Sequence, residues 1–261
     1  MNQFIFRIAV IAVAFLLQMS IAFACSCGAL VPVLDAYESA EVVVVARVLS
    51  VERSKEQDKR VHYGGVTSSR LVVEKVYKGD VRAGDELEFF QGGGADCVWA
   101  FRESDIGKQS LLYIGRPPAG EKWRAFTCGR SNSMKNAAED LLYLDKLDQV
   151  RGKTRVSGKY GLKYGNSGLV VANRTIKIVG QNKTYETTTN ADGIFEIYDL
   201  PAGNYRLEPE IPAGWQLDRD SLWFSSSADR KQTVKNAVAF KLEPKKHASI
   251  DLAFERVTDA P

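Results

Sequence analysis

The chain has 261 residues, a formal net charge of +3, 45% hydrophobic and 26% charged residues. This is the composition of a folded globular protein with enough apolar side chains for real cores, and it excludes a disordered tail. The basic excess is small and no Lys/Arg run stands out. That excludes a nucleic-acid footprint, which needs basic residues clustered on one face.

The N-terminus sets the compartment. Arg7 and the amino terminus give a positive start, residues 8–17 are an unbroken apolar run, and Ala22-Phe23-Ala24 is the small-x-small pattern that signal peptidase cuts after. The expectation is a secretory signal peptide over 1–24, cleavage after Ala24, and a mature protein beginning at Cys25. Two alternatives stand beside it. An uncleaved membrane anchor has just enough length if residues 4–24 all count, but the Ala-x-Ala site argues against it. A lipoprotein anchored at Cys25 would leave an odd number of cysteines, and the position three residues earlier is Ala22 where such signals favour leucine. The expected location is extracytoplasmic (periplasm, cell surface or extracellular), secreted, with no stable transmembrane span after cleavage.

The cysteines are Cys25, Cys27, Cys97 and Cys128. An even number in an exported chain reads as two disulfides. A Cys25–Cys27 bridge would close a very small, strained ring. That leaves Cys25 and Cys27 each tied to one of the distant pair, in either order. In the chain-entropy model each such bridge is worth about 4 kcal/mol.

Taken in order, residues 29–40 predict a short helix. Residues 41–51 (EVVVVARVLSV) are rich in β-branched side chains and predict a strand. Residues 54–65 are a charged, glycine-containing loop. Strands follow over 66–77, 86–90, 110–114 and 123–126. Gly92-Gly93-Gly94 breaks the chain before Cys97 and is not a phosphate loop, since no Lys-Ser/Thr follows. Ala137, Leu141, Leu144 and Leu147 recur at helical spacing within 136–150, with the leucine stripe facing a core. Five strands with flanking helices predict an OB-like five-stranded barrel over 25–150. A polar stretch near 150–154 is the expected linker. Beyond it, short strands over 154–161, 169–180, 183–189, 194–200, 204–211, 237–243 and 248–255 alternate with Asn-Ala-Asp-Gly and Pro-Ala-Gly turns. They predict a seven-stranded antiparallel β-sandwich over 154–256, in a mainly β chain.

Cys25-Ser26-Cys27 at the predicted mature N-terminus, the 40–48 strand, Tyr77-Lys78-Gly79, and Cys97 and Cys128 flanking the strand that ends Tyr113-Ile114-Gly115 carry a resemblance. Residues 25–150 resemble the inhibitory domain of the tissue inhibitors of metalloproteinases (TIMP), part of the netrin-module family. The resemblance implies pairings Cys25–Cys97 and Cys27–Cys128. The C-terminal half departs from that family. Asn190-Ala191-Asp192-Gly193-Ile194-Phe195-Glu196-Ile197 and Leu200-Pro201-Ala202-Gly203-Asn204-Tyr205 are similar to the carboxypeptidase regulatory-like or Cna-B-like (transthyretin-like) sandwiches. That likeness implies a stalk or carbohydrate-binding-like fold with no defined ligand.

The chemistry follows from Cys25. Its α-amine and carbonyl oxygen on one residue can chelate a zinc ion, and the amine's pKa leaves a useful neutral fraction near pH 7. A catalytic zinc keeps one position open for such a ligand. The resemblance implies that Cys25 binds the zinc of a partner metalloprotease through its main chain, with Ser26, Cys27 and Asp96 at the cleft. Against this stand Gly28, which replaces a larger contact residue, and a 54–65 loop with no contact motif. The leading expectation is therefore a secreted TIMP-like binding protein, possible inhibitor of an extracellular zinc metalloendopeptidase. The competing one is a non-inhibitory cell-surface adhesion or carbohydrate-binding protein. An enzyme is not expected. His62 and His247 have no Ser/Asp or Cys partner arrangement and read as surface residues. No cofactor and no metal of its own is expected. Asn173-Arg174-Thr175 and Asn182-Lys183-Thr184 match the N-glycosylation pattern. Asp192 and Glu196 are candidates to touch calcium, with turn capping the simpler reading.

Overall fold

Four consecutive valines open β1 (Val42–Arg53), and their alternation decides the architecture of the first half. Successive side chains of a strand point to opposite faces. Val42, Val44, Ala46 and Val48 enter one core, while Val43 and Val45 enter another. A strand buried on both faces must lie mid-sheet, and β1 does. The computed structural model describes residues 31–53, 66–90, 97–115, 122–164, 167–224, 233–234 and 236–257.

β2 (Val66–Lys78), β3 (Glu86–Phe90), β4 (Gln109–Gly115) and β5 (Arg124–Ala125) join β1 in the order β3-β2-β1-β4-β5, and β6 (Asn132–Ser133) pairs with β4. The sheet then closes on itself. Trp123 forms a parallel bridge to Phe89. The Phe90 amide donates to the Trp123 carbonyl at 2.8 Å, and the Trp123 amide to the Glu88 carbonyl at 3.0 Å. Five strands with a parallel closure between the third and fifth make the OB-type barrel expected from the sequence. Register shifts between β1 and β2 bend the long pair around the barrel. Leu71, Val73, Leu87, Phe89, Phe101, Leu112 and Ile114 fill its interior.

The other face of β1 and β4 is covered by α1 (Val33–Ser39), α2 (Ala138–Leu144) and α3 (Leu147–Val150). Pro32 precedes α1 with φ −54°, its ring pre-setting the entry. The single helix expected over 136–150 is broken in two. At the break, Asp145 accepts hydrogen bonds from Lys75 Nζ and Tyr77 Oη, both at 2.6 Å, and Lys146 turns toward Glu196. Leu144 and Leu147 are buried and Leu141 packs against them, as the stripe required.

Residues 155–256 form two facing sheets. One runs β10 (Thr184–Thr188), β9 (Thr175–Val179), β12 (Gly203–Pro209), β16 (Ala237–Leu242), β15 (Thr233–Val234). The other runs β11 (Ile194–Tyr198), β7 (Arg155–Tyr164), β17 (His247–Arg256), β13 (Trp215–Leu217), with β8 (Ser167–Val170) on β7 and β14 (Trp223–Phe224) on β17. The alternating inward side chains, including Tyr160, Ile176, Ile178, Phe195, Leu207, Ile250 and Phe254, make the core between them. The short strands β13, β14 and β15 escaped the sequence pattern. The stretch 169–180 is two strands, because the chain crosses between sheets at Asn173, whose φ is +57°. Thr189 staples this crossing: its hydroxyl donates to the Val171 carbonyl at 2.7 Å and accepts from the Arg174 amide at 2.9 Å.

One pairing departs from the antiparallel pattern. β17 lies parallel to β7. Where they meet, the β17 backbone presses on Gly158, and a Cβ there would stand 1.9 Å from the Ile250 carbonyl oxygen. No helix among the described residues is long and apolar enough to cross a membrane.

Gly158→Ala should therefore destabilise the protein by about 1–3 kcal/mol, as overpacking does. Gly161→Ala on the same strand, where a Cβ finds only contacts of 3.7 Å and beyond, should be far milder. Urea denaturation of both variants checks the difference.

Candidate binding rim and the charge network beneath it

The barrel rim is built around the two described cysteines. Cys97 has φ +59°, the left-handed region that a non-glycine residue enters only when its surroundings hold it there. Its carbonyl accepts the Thr127 amide at 2.7 Å and the Thr127 hydroxyl at 3.1 Å. Val98 bridges to Phe126, and the Trp99 amide donates to the Ala125 carbonyl at 2.8 Å. The segments around Cys97 and Cys128 are thus clamped side by side. Both cysteines are disulfide-bonded. Cys25, Ser26, Cys27 and Asp96 lie outside the described residues, as do His62, Gly92-Gly93-Gly94 and the 54–65 loop. Of the expected site, the structure places only Cys97 and Cys128.

Two residues beyond Cys128, Arg130 is almost fully buried. Its Nη1 donates to the Val31 carbonyl at 2.9 Å, tying down the chain that emerges from the N-terminal segment. Its other donors meet carboxylates: Nε to Asp140 Oδ1 at 2.6 Å, and Nη2 to Asp140 Oδ2 at 2.7 Å and Glu139 Oε2 at 2.8 Å. Tyr113 donates its hydroxyl to Asp140 at 2.7 Å. Burial alone would lower the Arg130 guanidinium, but the Asp140 and Glu139 carboxylates raise it above its ordinary value.

Glu139 carries the chain of charges into the sandwich. Its Oε1 accepts from Ser157 at 2.8 Å, and from Arg155 Nη1 and Ser249 at 3.4 Å. Burial would raise this carboxyl, yet Arg130 and Arg155 hold it down at about 2. Arg155, 1% exposed, lies 5.1 Å from the Tyr143 ring centroid and donates to Glu196 Oε2 at 3.2 Å. Glu196 also takes Lys146 and, at 2.8 Å, the Tyr198 hydroxyl. Asp140, Arg130, Glu139, Arg155, Glu196 and Lys146 thus alternate in sign along one path that runs from the barrel's helix to the sandwich strands and back. No charge pattern in the sequence marked Arg130, Glu139 or Arg155, since their partners are distant in the chain.

Two expectations are corrected here. His247 is not a surface residue: it is 5% exposed, with its ring edge-on to Tyr143 at 5.1 Å. Burial and the Arg155 guanidinium push it down to about 4. The turn capping expected of Asp192 and Glu196 is done by Asn190, whose Oδ1 accepts the Asp192 and Ile194 amides at 2.9 Å, while Glu196 pairs with Arg155, Lys146 and Tyr198. Among the described residues no three metal-ligating side chains converge. Asn173 and Asn182 are both exposed.

No family model and no curated protein matches the chain. Among solved structures, the chain is similar to the minor pilin GBS52 of Streptococcus agalactiae, with TM-score 0.30, 12% identity and 85% of each chain covered. It is similar also to an adhesin from Mobiluncus mulieris, with TM-score 0.29, 9% identity, and 84% and 85% covered. A third is the TIE protein of Bacillus anthracis, with TM-score 0.29 and 10% identity, where 84% of this chain spans 35% of that one. At TM-scores this low the likeness carries no argument about function. The comparisons give the metalloproteinase-inhibitor resemblance no support.

Removing one member of the network strands its neighbours. Glu139→Ala leaves Arg155 and Arg130 short of a buried counter-charge and should destabilise by about 3–5 kcal/mol. Calorimetry of wild type should give one transition, and of the variant two, as barrel and sandwich uncouple.

Acid titration tests a second pair. Burial, with Glu139 nearby, raises Asp251 from 3.8 to about 6, so its contribution is full below 3.8 and lost as pH rises to 6. His247 is lowered from 6.5 to about 4, so its contribution is present above 6.5 and lost as pH falls to 4. In wild type the two oppose each other over most of this range. Asp251→Asn keeps an acceptor for the Lys159 amide, now 2.8 Å away. The variant should be more stable than wild type at pH 7.5 and should lose stability more steeply between pH 6.5 and 4, which Tm against pH will show.

Proposed function

We propose that this chain is an exported, non-enzymatic binding protein that works outside the cytoplasm by adhesion to a surface ligand. The observation that carries this reading is the sign-alternating path from Asp140 to Lys146, whose members Asp140, Arg130, Glu139 and Arg155 are buried. It ties barrel and sandwich together, as suits a protein that presents a binding surface at a set distance from a support. Residues 25–150 and 154–256 are then two separately built units acting as one body. The bonded state of Cys97 and Cys128 supports an oxidising compartment, in keeping with removal of residues 1–24.

Inhibition of a zinc metalloprotease is the second reading, favoured by one feature. The strained, bonded Cys97 and the Arg130 grip on Val31 bracket the route by which a Cys25-Ser26-Cys27 terminus would be pinned to the rim. A pinned terminus loses less entropy on binding. In that reading Cys25 meets the zinc, and Ser26 and Asp96 meet the cleft.

Intact mass and N-terminal sequencing of the exported protein, with and without reduction, come first. An unmodified Cys25 with both bridges formed is the expected result. Mature protein should then bind immobilised cell-surface material and leave a panel of zinc metalloproteases active. Stoichiometric inhibition that vanishes when the Cys25 amine is acetylated would reverse the two readings.

A further inference from the structure

A cleft of about 650 Å³ opens at one end of the five-stranded sheet, between the β9–β10 turn and the turn that leads into β12. That volume is within the usual range for small-molecule sites. Its wall is aromatic. Tyr205 is fixed: its hydroxyl donates to the Pro201 carbonyl at 2.6 Å, and its ring stacks on Phe240 at 5.6 Å and 23°. Tyr185 packs edge-on against it, with ring centroids 6.3 Å apart and planes inclined at 66°. Tyr185 is only half-buried. Gly180 is required for this wall, because a Cβ there would lie 2.8 Å from the Tyr205 ring.

The rim of the cleft is amide-rich. Gln181, Asn182 and Asn204 line it and all three are exposed. Each amide offers two donors and one acceptor oxygen in a fixed plane. No carboxylate lines the cleft among the described residues, and its single cation, Lys183, sits 4.8 Å over the Tyr185 ring. Aromatic rings beside amide donors and acceptors suit a sugar ring. A pyranose presents C–H bonds on one face and vicinal hydroxyls around its edge.

We infer that this cleft binds a neutral hexopyranose glycan, which displaces the exposed Lys183 side chain from the Tyr185 ring and is hydrogen-bonded by Asn182 and Asn204. This deepens the adhesion reading, on which it rests, by naming the ligand class and the place. It moves the point of attachment from the barrel rim to the sandwich.

The test is isothermal titration of the full mature protein with cello-, chito-, malto- and manno-oligosaccharides, and with heparin as the anionic comparison. Wild type should bind at least one neutral oligosaccharide. Asn182→Ala/Asn204→Ala, a change confined to exposed turns, should weaken binding about tenfold or more with unchanged Tm. Tyr185→Ala should abolish binding, its fold checked by circular dichroism. The inference falls if no neutral oligosaccharide binds, if only heparin binds, or if the double variant binds like wild type. Attachment to cell-surface material without any oligosaccharide binding would sink this inference and leave the adhesion reading standing. Attachment to nothing would sink both.

Discussion

A carboxylate buried between two guanidinium groups governs this molecule. Glu139 reaches from a helix on the barrel to Arg130 on one side and Arg155 on the other, with Ser157 completing its shell. Ions taken out of water are tolerated only when paired and hydrogen-bonded throughout. This one is satisfied from both halves of the chain at once, so neither half can shift without exposing an uncompensated charge. Arg130 extends the same constraint to the Val31 backbone, and Arg155 extends it to Glu196 and Lys146.

The apolar architecture is arranged around that junction. β1 divides its valines between the barrel interior and the layer beneath the helices, so one strand belongs to two cores. The helices that cover its outer face carry Glu139, and the break between two of them holds Lys146. Burial of the leucine stripe and satisfaction of the charge path are therefore one packing event. The rim where the Cys97 and Cys128 segments pair lies on the same β-barrel, with Cys128 two residues from Arg130, and inherits its rigidity.

Much of the fold was legible because it is written at short range. The valine run, the Leu141/Leu144/Leu147 spacing and the Asn-Ala-Asp-Gly and Pro-Ala-Gly turns announce strands, helix and hairpins locally. What escaped was long-range or two residues long. Strands such as β14 and β15 are too short for alternation to show. The parallel docking of β17 on β7 is a matter of topology that no window of sequence contains. His247 looked like a surface residue because nothing beside it in the chain suggests burial against Tyr143. The candidate site is less legible still. The Cys-Ser-Cys terminus is visible as a motif, whereas the tyrosine and amide cleft is assembled from two turns some twenty residues apart, neither of which looks unusual alone.

The position of β17 has a consequence for biogenesis. It is the last described strand, yet it lies between β7 and β13, in the middle of its sheet. β7, the first strand of that sheet, has no neighbour on one side until residues 247–256 have been synthesised and delivered. Contacts of such wide sequence separation form late. The second sheet of the sandwich therefore cannot be completed until β17 has docked. The barrel, whose described strands all precede residue 134, can close first and offer the later strands a finished partner.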